Sequence, residues 1–294
     1  MIKNITERLY LESPEEPLYH YTTFAGLMGI VESRAIWASD IRYMNDSAEI
    51  KHTADLLGAE IAARLASRDA NQKLLGQFTD WIANRMTNGH MLFGASFRSN
   101  GNLLSQWRGY SVLGKGVSIG FDPQYLVACA RRQACRLGKC IYDLGEQKAL
   151  IKQIVDEIQT LAQIHGENTD QSRRPPNQSY YDIFELMESD LLRIAAILKH
   201  PSFREEEEWR IVSPVLSDYV ESPVQFREGT SMLVPYLEIK LTPDPQAPLE
   251  FEHVFLGPTP NINLSMNSLT MFLSKKGVNV RQGITYCQIP FRQR

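Results

Sequence analysis

Glu205-Glu206-Glu207-Glu208-Trp209-Arg210-Ile211-Val212 decides the reading of this chain. Four consecutive carboxylates run straight into an apolar, β-branched segment whose composition suits a strand. Residues two apart on a strand share a face. Glu206, Glu208 and Arg210 then point one way, and Glu207, Trp209 and Ile211 the other. Two acids and a base on one strand face line a cleft or form a polar sheet face, and charge runs in general are more often the latter. Three other stretches favour the cleft: Leu18-Tyr19-His20-Tyr21-Thr22, Ala95-Ser96-Phe97, and Gln106-Trp107-Arg108-Gly109-Tyr110.

Working outward, the last third is strand-rich, with Trp209 to Val212, Leu233 to Leu241, His253 to Leu256 and Val278 to Ile289, interrupted by a helix over Leu264 to Lys275. Upstream, Leu18 to Thr22 and Ala35 to Ala38 suit short strands. Between them Thr22 or Thr23 caps a helix that buries Leu27, Ile30 and Val31, with Met28 as a further candidate. Asn45-Asp46-Ser47-Ala48-Glu49 reads as a helix start, Asp46 capping and Glu49 reaching back. A further helix carries Leu74, Phe78, Trp81, Ile82 and Met86. His90 to Phe97 and Gly116 to Phe121 are strands joined by a loop holding Gln106-Trp107-Arg108. Asp122-Pro123 opens a helix, Cys140 to Tyr142 suits a strand, and 146–165 and 180–199 are helical. Residues 1–17 form a polar lead-in arm, and Gly166 to Gln178 is the polar loop expected to move most.

Helices and strands that segregate without regular alternation argue for an α+β fold with a mixed, largely antiparallel sheet. No linker or charge shift marks a boundary. The expectation is one domain over 1–294, with half the sheet in 18–122, a helical insertion at 123–200 and the closing strands in 201–294. The 294 residues are 43% hydrophobic and 22% charged, with a formal net charge of -3, so no whole-molecule field attracts nucleic acid. No apolar run approaches the roughly 20 residues of a membrane helix. The amino-terminal residues lack a signal-peptide core, and the four cysteines lack zinc spacing. The expected location is the cytoplasm, with no metal. There is no Walker, GxGxxG, HExxH or GxSxG motif, which disfavours those hydrolase and dinucleotide folds.

Taken together, Leu18-Tyr19-His20-Tyr21-Thr22, Ile36-Trp37-Ala38-Ser39 with Asn45-Asp46 and Glu49, Ser96-Phe97, Trp107 with Tyr110, Gly116 to Phe121, Glu206 to Arg210, Pro235 to Ile239 and Leu256-Gly257-Pro258 resemble a bacterial family known as a domain of unknown function. That family is often met beside phage-defence and toxin genes, and the resemblance runs from Leu18 to Arg292. A looser similarity is to ADP-ribosyltransferases of the diphtheria-toxin and poly-ADP-ribose polymerase type. It rests on a histidine-tyrosine strand before a capped helix, aromatic residues after a middle strand, and a late glutamate.

The looser resemblance implies a central sheet of ADP-ribosyltransferase-like type, NAD as cofactor, and transfer of ADP-ribose to an acceptor it does not name. His20 matches the histidine that binds the adenosine-side ribose, with Tyr21, Thr22 and Ser96 beside the cofactor. Tyr110, or else Trp107 or Tyr21, matches the aromatic residue that stacks on nicotinamide. Glu208 matches the catalytic acid, with Glu206 completing an acid-x-acid pair. The superfamily's pair of tyrosines at fixed spacing is not evident, and Gln106-Trp107-Arg108 is not one of its motifs.

The chemistry needs such groups. Cleaving an N-glycosidic bond passes through an oxocarbenium-like state that a facing carboxylate stabilises, and Glu206 could accept the acceptor's proton. Two other classes stay open. One is a metal-dependent nuclease built from Asp40, Asp46, Glu49, Glu206 and Glu208. The other is a non-catalytic ligand-binding or sensor module using the same cleft. For the transferase, His20 and Glu208 should lie on adjacent strands and open into one cleft.

Overall fold

The computed structural model describes residues 2–44, 48–67, 70–110, 116–242, 244 and 246–288. A short helix, α1 (Ile2–Leu9), precedes β1 (Leu18–Thr23), so the expected arm is partly helical. Thr23 caps α2 (Phe24–Ser33): its backbone is extended and its hydroxyl accepts from the Gly26 N–H at 3.1 Å. Leu27, Ile30 and Val31 are the buried stripe, whereas Met28 is 48% exposed. Arg34, in the left-handed region, ends α2 and turns the chain into β2 (Ala35–Asp40).

Helices α3 (Ala48–Leu65) and α4 (Gln72–Asn88) follow. The expected cap at Asn45-Asp46-Ser47 and the side chains of Glu49 and Met86 lie outside the described residues. Next come β3 (Phe93–Arg98), α5 (Leu104–Tyr110), β4 (Gly116–Phe121) and α6 (Pro123–Arg132). The segment expected as a loop around Trp107 is thus a helix, consistent with the three-residue spacing of Trp107 and Tyr110. Asp122 caps α6 as expected, its carboxylate accepting from the Tyr125 N–H at 2.8 Å.

The strand expected at Cys140 to Tyr142 falls earlier, at β5 (Arg136–Lys139), and Ile141 makes a single bridge to Leu198. Two long helices, α7 (Leu144–His165) and α8 (Tyr181–Ala195), lead to β6 (Glu208–Val212), β7 (Gln225–Glu228), β8 (Leu233–Lys240), β9 (Glu250–Phe251), β10 (His253–Leu256), α9 (Ile262–Lys275), β11 (Asn279–Val280) and β12 (Ile284–Tyr286). The run expected as one strand over Val278 to Ile289 is broken at Gly283, whose φ of 80° a side chain would strain; Ile289 lies outside the described residues.

The fold is α+β around a mixed, largely antiparallel sheet in the order β12-β10-β4-β1-β3-β2-β8-β7, with β6 joining β3 to β5. Within that sheet, β10 and β12 run parallel. One side packs Leu27, Phe97, Ile119, Trp209 and Val254 under α2, α6 and α9. A second apolar cluster joins α3, α4, α7 and α8 through Phe78, Trp81, Ile154 and Phe184. The segment 123–200 therefore supplies β5 to the sheet as well as α7 and α8 to the helical layer, which also takes in α3 and α4.

The site is positioned by a fork. Strand β3 pairs with β6 on one edge, from Gly94 to Arg98. Its other edge is shared: β1 pairs at Arg98, and β2 pairs at Phe93 and Gly94. Between those contacts β1 and β2 diverge, and α2, which connects them, spans the gap.

Candidate functional site

The fork opens a cleft of about 550 Å3, within the size range of small-molecule sites. Its walls come from the end of β1, the first turns of α2, the face of β2, Gly94 to Ser96 of β3, Tyr43, Tyr110 and Arg227. His20, Tyr21, Thr22, Ser96 and Tyr110, five of the residues singled out in the sequence, line it together.

His20 closes the gap between the diverging strands. Its Nδ1 lies 3.0 Å from the Ser96 carbonyl oxygen, on the part of β3 that no backbone partner covers. A carbonyl only accepts, so Nδ1 carries the proton and Nε2 is left as an acceptor. Burial lowers the His20 pKa, the bond to Ser96 opposes the shift, and nearby Arg98 reinforces it. The ring is neutral at physiological pH.

The aromatic residues divide into structure and surface. Trp107 is fully buried, its Nε1–H donating to Asn102 Oδ1 at 2.8 Å. It packs edge-on against Tyr21, ring centroids 4.9 Å apart. The expectation that Trp107 stacks on a cofactor is thereby corrected, because α5 turns its indole into the core. Tyr21 is also mostly enclosed, its hydroxyl donating to the Asn100 carbonyl and accepting from the Leu103 N–H. Tyr110 keeps a place in the cleft wall. Gly120 lets the Tyr19 ring pack close to the backbone: a Cβ there would sit 2.7 Å from it.

Three lining groups were not singled out as site residues. Trp37 is 44% exposed and packs against Tyr236, ring centroids 4.4 Å apart and tilted by 31°. The alternation in Ala35-Ile36-Trp37-Ala38 sends Trp37 opposite to Ile36 and Ala38, which was the available signal. Arg227 reaches across from β7, its Nη2 donating to Ser39 Oγ at 3.2 Å. Nothing in the sequence announced it, because β7 has no clear alternation of apolar residues. Tyr43 follows β2 in a short 3-10 turn.

The two catalytic candidates sit elsewhere. Glu208 pairs with Arg98 across the β3–β6 ladder, and Arg98 pairs with Tyr19 across β3–β1. Tyr19, Arg98, Ser96 and Glu208 therefore share one sheet face, and His20, next to Tyr19, belongs by register to the other. Strand β3 lies between β1 and β6. The expectation that His20 and Glu208 stand on adjacent strands and open into one cleft is corrected on both counts.

Glu208 is sealed from solvent and does not line the cleft. Its Oε1 accepts from Arg210 Nε at 2.6 Å, and its Oε2 contacts Arg98 Nη1 at 3.2 Å and the buried Lys199 ammonium. Its backbone N–H donates to the Tyr142 hydroxyl. Burial pushes the Glu208 carboxyl up, but Arg210, Arg98 and Lys199 outweigh it and hold the pKa well below the usual carboxylate range.

Glu206 ends a 3-10 turn (Pro201–Glu206), and Glu207 takes the left-handed region at φ 40°, so the acid-x-acid pair is not a strand pair. Both acids nonetheless converge: Glu206 Oε2 lies 2.8 Å from Arg98 Nη2 and 2.5 Å from Lys199 Nζ. The cluster is a buried structural knot of three cations on two carboxylates. Tyr110 connects it to the cleft. Burial raises its pKa, the Arg98 charge lowers it, and Glu208 and Glu206 raise it again.

For the nuclease reading, Asp40 is held by Arg42 through contacts of 3.0 and 2.6 Å, and Glu206 and Glu208 are neutralised as above. Asp46 and the Glu49 side chain lie outside the described residues. Among the described residues, no group of three or more histidine, cysteine or acidic side chains is placed to hold a metal, and no helix is long and apolar enough to cross a membrane.

No curated protein and no solved structure matches the chain. Residues 106–211, from α5 into β6, match the model of a family described as a protein of unknown function, DUF2971.

Proposed function

We propose that this protein binds a nucleotide, with NAD as the leading candidate, in the fork cleft, and acts there as a ligand-binding module related in design to ADP-ribosyltransferases. The observation that carries this reading is the composition of the cleft wall. Aromatic faces at Trp37, Tyr43 and Tyr110 suit a flat ring. Arg227 suits a phosphate, and the first turn of α2, with Thr22, Thr23 and Gly26 beside it, offers backbone N–H groups to an anion. His20, neutral and fixed by Ser96, offers Nε2 to a ribose hydroxyl. The volume suits a ligand of nucleotide size.

Turnover is not part of this reading, because Glu208 is enclosed and bound to Arg98, Lys199 and Arg210. One observation favours ADP-ribose transfer as a second reading. Tyr110 lines the cleft and also lies in the field of Glu206 and Glu208. NAD would supply the N-glycosidic bond, and the chain would have to release a carboxylate from its cations to face the ribose.

Calorimetry with NAD, AMP and nicotinamide, run beside chromatography for free nicotinamide, tests both. The expected result is saturable binding of NAD and AMP, quenching of tryptophan fluorescence through Trp37, and no nicotinamide above the buffer level. Nicotinamide release that a folded Glu206→Gln variant loses would favour transfer. No binding of NAD or AMP at millimolar concentration would end the nucleotide reading.

A further inference from the structure

A second, smaller cavity lies away from the fork, among α3, α4, α7 and α8, with a volume of about 60 Å3. Leu57, Ile154 and Leu191 form much of its apolar wall. Arg42, Arg85 and His90 line its rim, and three buried polar residues line it too, one from each of three helices: Thr53 of α3, Trp81 of α4 and Glu188 of α8. Each is more than nine-tenths buried. Thr53 Oγ1 and Trp81 Nε1 are among the buried side-chain polar atoms without a hydrogen-bond partner, and Glu188 Oε2, although it faces His90 Nδ1 at 3.0 Å, accepts no hydrogen bond. A buried polar group left unsatisfied is costly, so Thr53 Oγ1 and Trp81 Nε1 around one cavity call for an occupant.

The chemistry of the three atoms defines that occupant. Trp81 Nε1–H only donates, the Glu188 carboxylate only accepts, and the Thr53 hydroxyl does both. A partner that satisfies all of them must accept and donate through one small head. Arg85 Nε, 3.8 Å from Glu188 Oε2, already offsets part of the Glu188 charge. A cationic ligand would add charge beside Arg85, and an anionic one would face the carboxylate in an apolar wall. Both are costly without a new partner.

We propose that this interhelical cavity is a binding site for a small neutral amphiphile, with an aliphatic body among Leu57, Ile154 and Leu191 and a hydroxyl or primary amide head at Thr53, Trp81 and Glu188. Size sets the class. A cavity of about 150 Å3 holds benzene, so this one takes a body of only a few carbon atoms. It is independent of the nucleotide reading, since none of its lining residues lines the fork cleft.

Nuclear magnetic resonance of the full chain with 15N-labelled tryptophan tests the site, using 1-butanol and butyramide as probes. The expected result is a saturable shift of the Trp81 indole N–H, with half-saturation on the order of 1–10 mM, while the indoles of Trp37, Trp107 and Trp209 stay in place. Ala195→Leu, which fills the cavity from its wall, should abolish saturation. Thr53→Val, close to isosteric, should weaken it at least fivefold, and decides the matter where Ala195→Leu fails to fold. A shift that rises linearly in all four indoles, or saturation unchanged by Thr53→Val, would show that the cavity holds water only and would overturn the proposal.

Discussion

Arg210 Nε lies 2.6 Å from Glu208 Oε1, and both side chains are sealed inside the protein. Two residues apart on β6, they share a face by strand geometry, and Arg98 and Lys199 meet the same carboxylate from β3 and from the segment after α8. Removing one member of such a knot leaves buried cations uncompensated, at a typical cost of about 3–5 kcal/mol. Glu208→Gln should therefore lower the urea midpoint strongly, while the remaining folded fraction binds NAD as wild type does. A variant with unchanged stability and lost binding would place Glu208 in the site after all.

The same carboxylate predicts an acid limb. Its pKa is depressed in the folded protein, so the unfolded chain takes up the proton first as pH falls. The stabilisation is complete above the ordinary glutamate range, about 4.3, and is lost as pH drops from there through the folded value. Urea titrations between pH 3 and 7 should show wild-type stability falling below about pH 4.5. The difference between wild type and Glu208→Gln should shrink over that range, and a constant difference would contradict the assignment.

Trp37 and Arg227 should carry binding without carrying the fold. Trp37 is 44% exposed, and losing one stacking face costs roughly 0.5–1.5 kcal/mol, about a two- to thirteenfold loss of affinity. Trp37→Ala should weaken NAD and AMP alike and remove most of the fluorescence quench. Arg227→Ala should weaken AMP but spare adenosine, because only the phosphate needs the guanidinium. Calorimetry on the two variants separates ring from phosphate recognition, and equal losses for AMP and adenosine in Arg227→Ala would refute the phosphate role.

Much of this was legible in the sequence where local chemistry fixes structure. Thr23 capping α2, Asp122 before Pro123, and the strand over Gly116 to Phe121 all signal themselves within a few residues. Period-two alternation also placed Trp209 and Ile211 on one face, and both lie in the main core. What it could not supply was the pairing of strands. Whether Glu208 faces a cleft or three cations depends on Arg98 and Lys199, which are far away in the chain, and no local pattern links them. Trp107 and Tyr110 sit three apart on one short helix, yet one is buried and the other lines the cleft. Only the packing of α5 on β1 and β4 decides that. Arg227 was invisible because edge strand β7, largely exposed on both faces, has no apolar rhythm.

Trp209 gives a control for the organising strand. It is 4% exposed and packs in the main core opposite Phe97. Trp209→Ala should cost about 3–5 kcal/mol of stability and reduce binding only through loss of folded protein. Binding normalised to the folded fraction should equal wild type. A specific loss of affinity at full folding would mean that β6 reaches the cleft.

His20 ties the fork itself to pH. Its folded pKa is lowered, chiefly by burial, so in the unfolded chain it protonates first, near 6.5. Between that value and the folded one, the unfolded state binds more protons, and stability falls as pH falls. The ring also donates from Nδ1 to the Ser96 carbonyl at 3.0 Å, where β1 and β2 have left β3 without a backbone partner. His20→Phe keeps the ring against Phe97 but removes both nitrogens. It should leave the Ser96 carbonyl without this donor, lowering stability by about 1–3 kcal/mol, and should erase the component of the stability curve below pH 6.5. Nucleotide affinity should fall in the same variant, because Nε2 no longer accepts from a ribose hydroxyl. The decisive comparison is ribose against 2′,3′-dideoxyribose in AMP: wild type should prefer the hydroxylated ligand, and His20→Phe should not. A preference that survives the substitution would leave His20 as a structural clasp of the fork and place ribose recognition on Thr22 or Ser96.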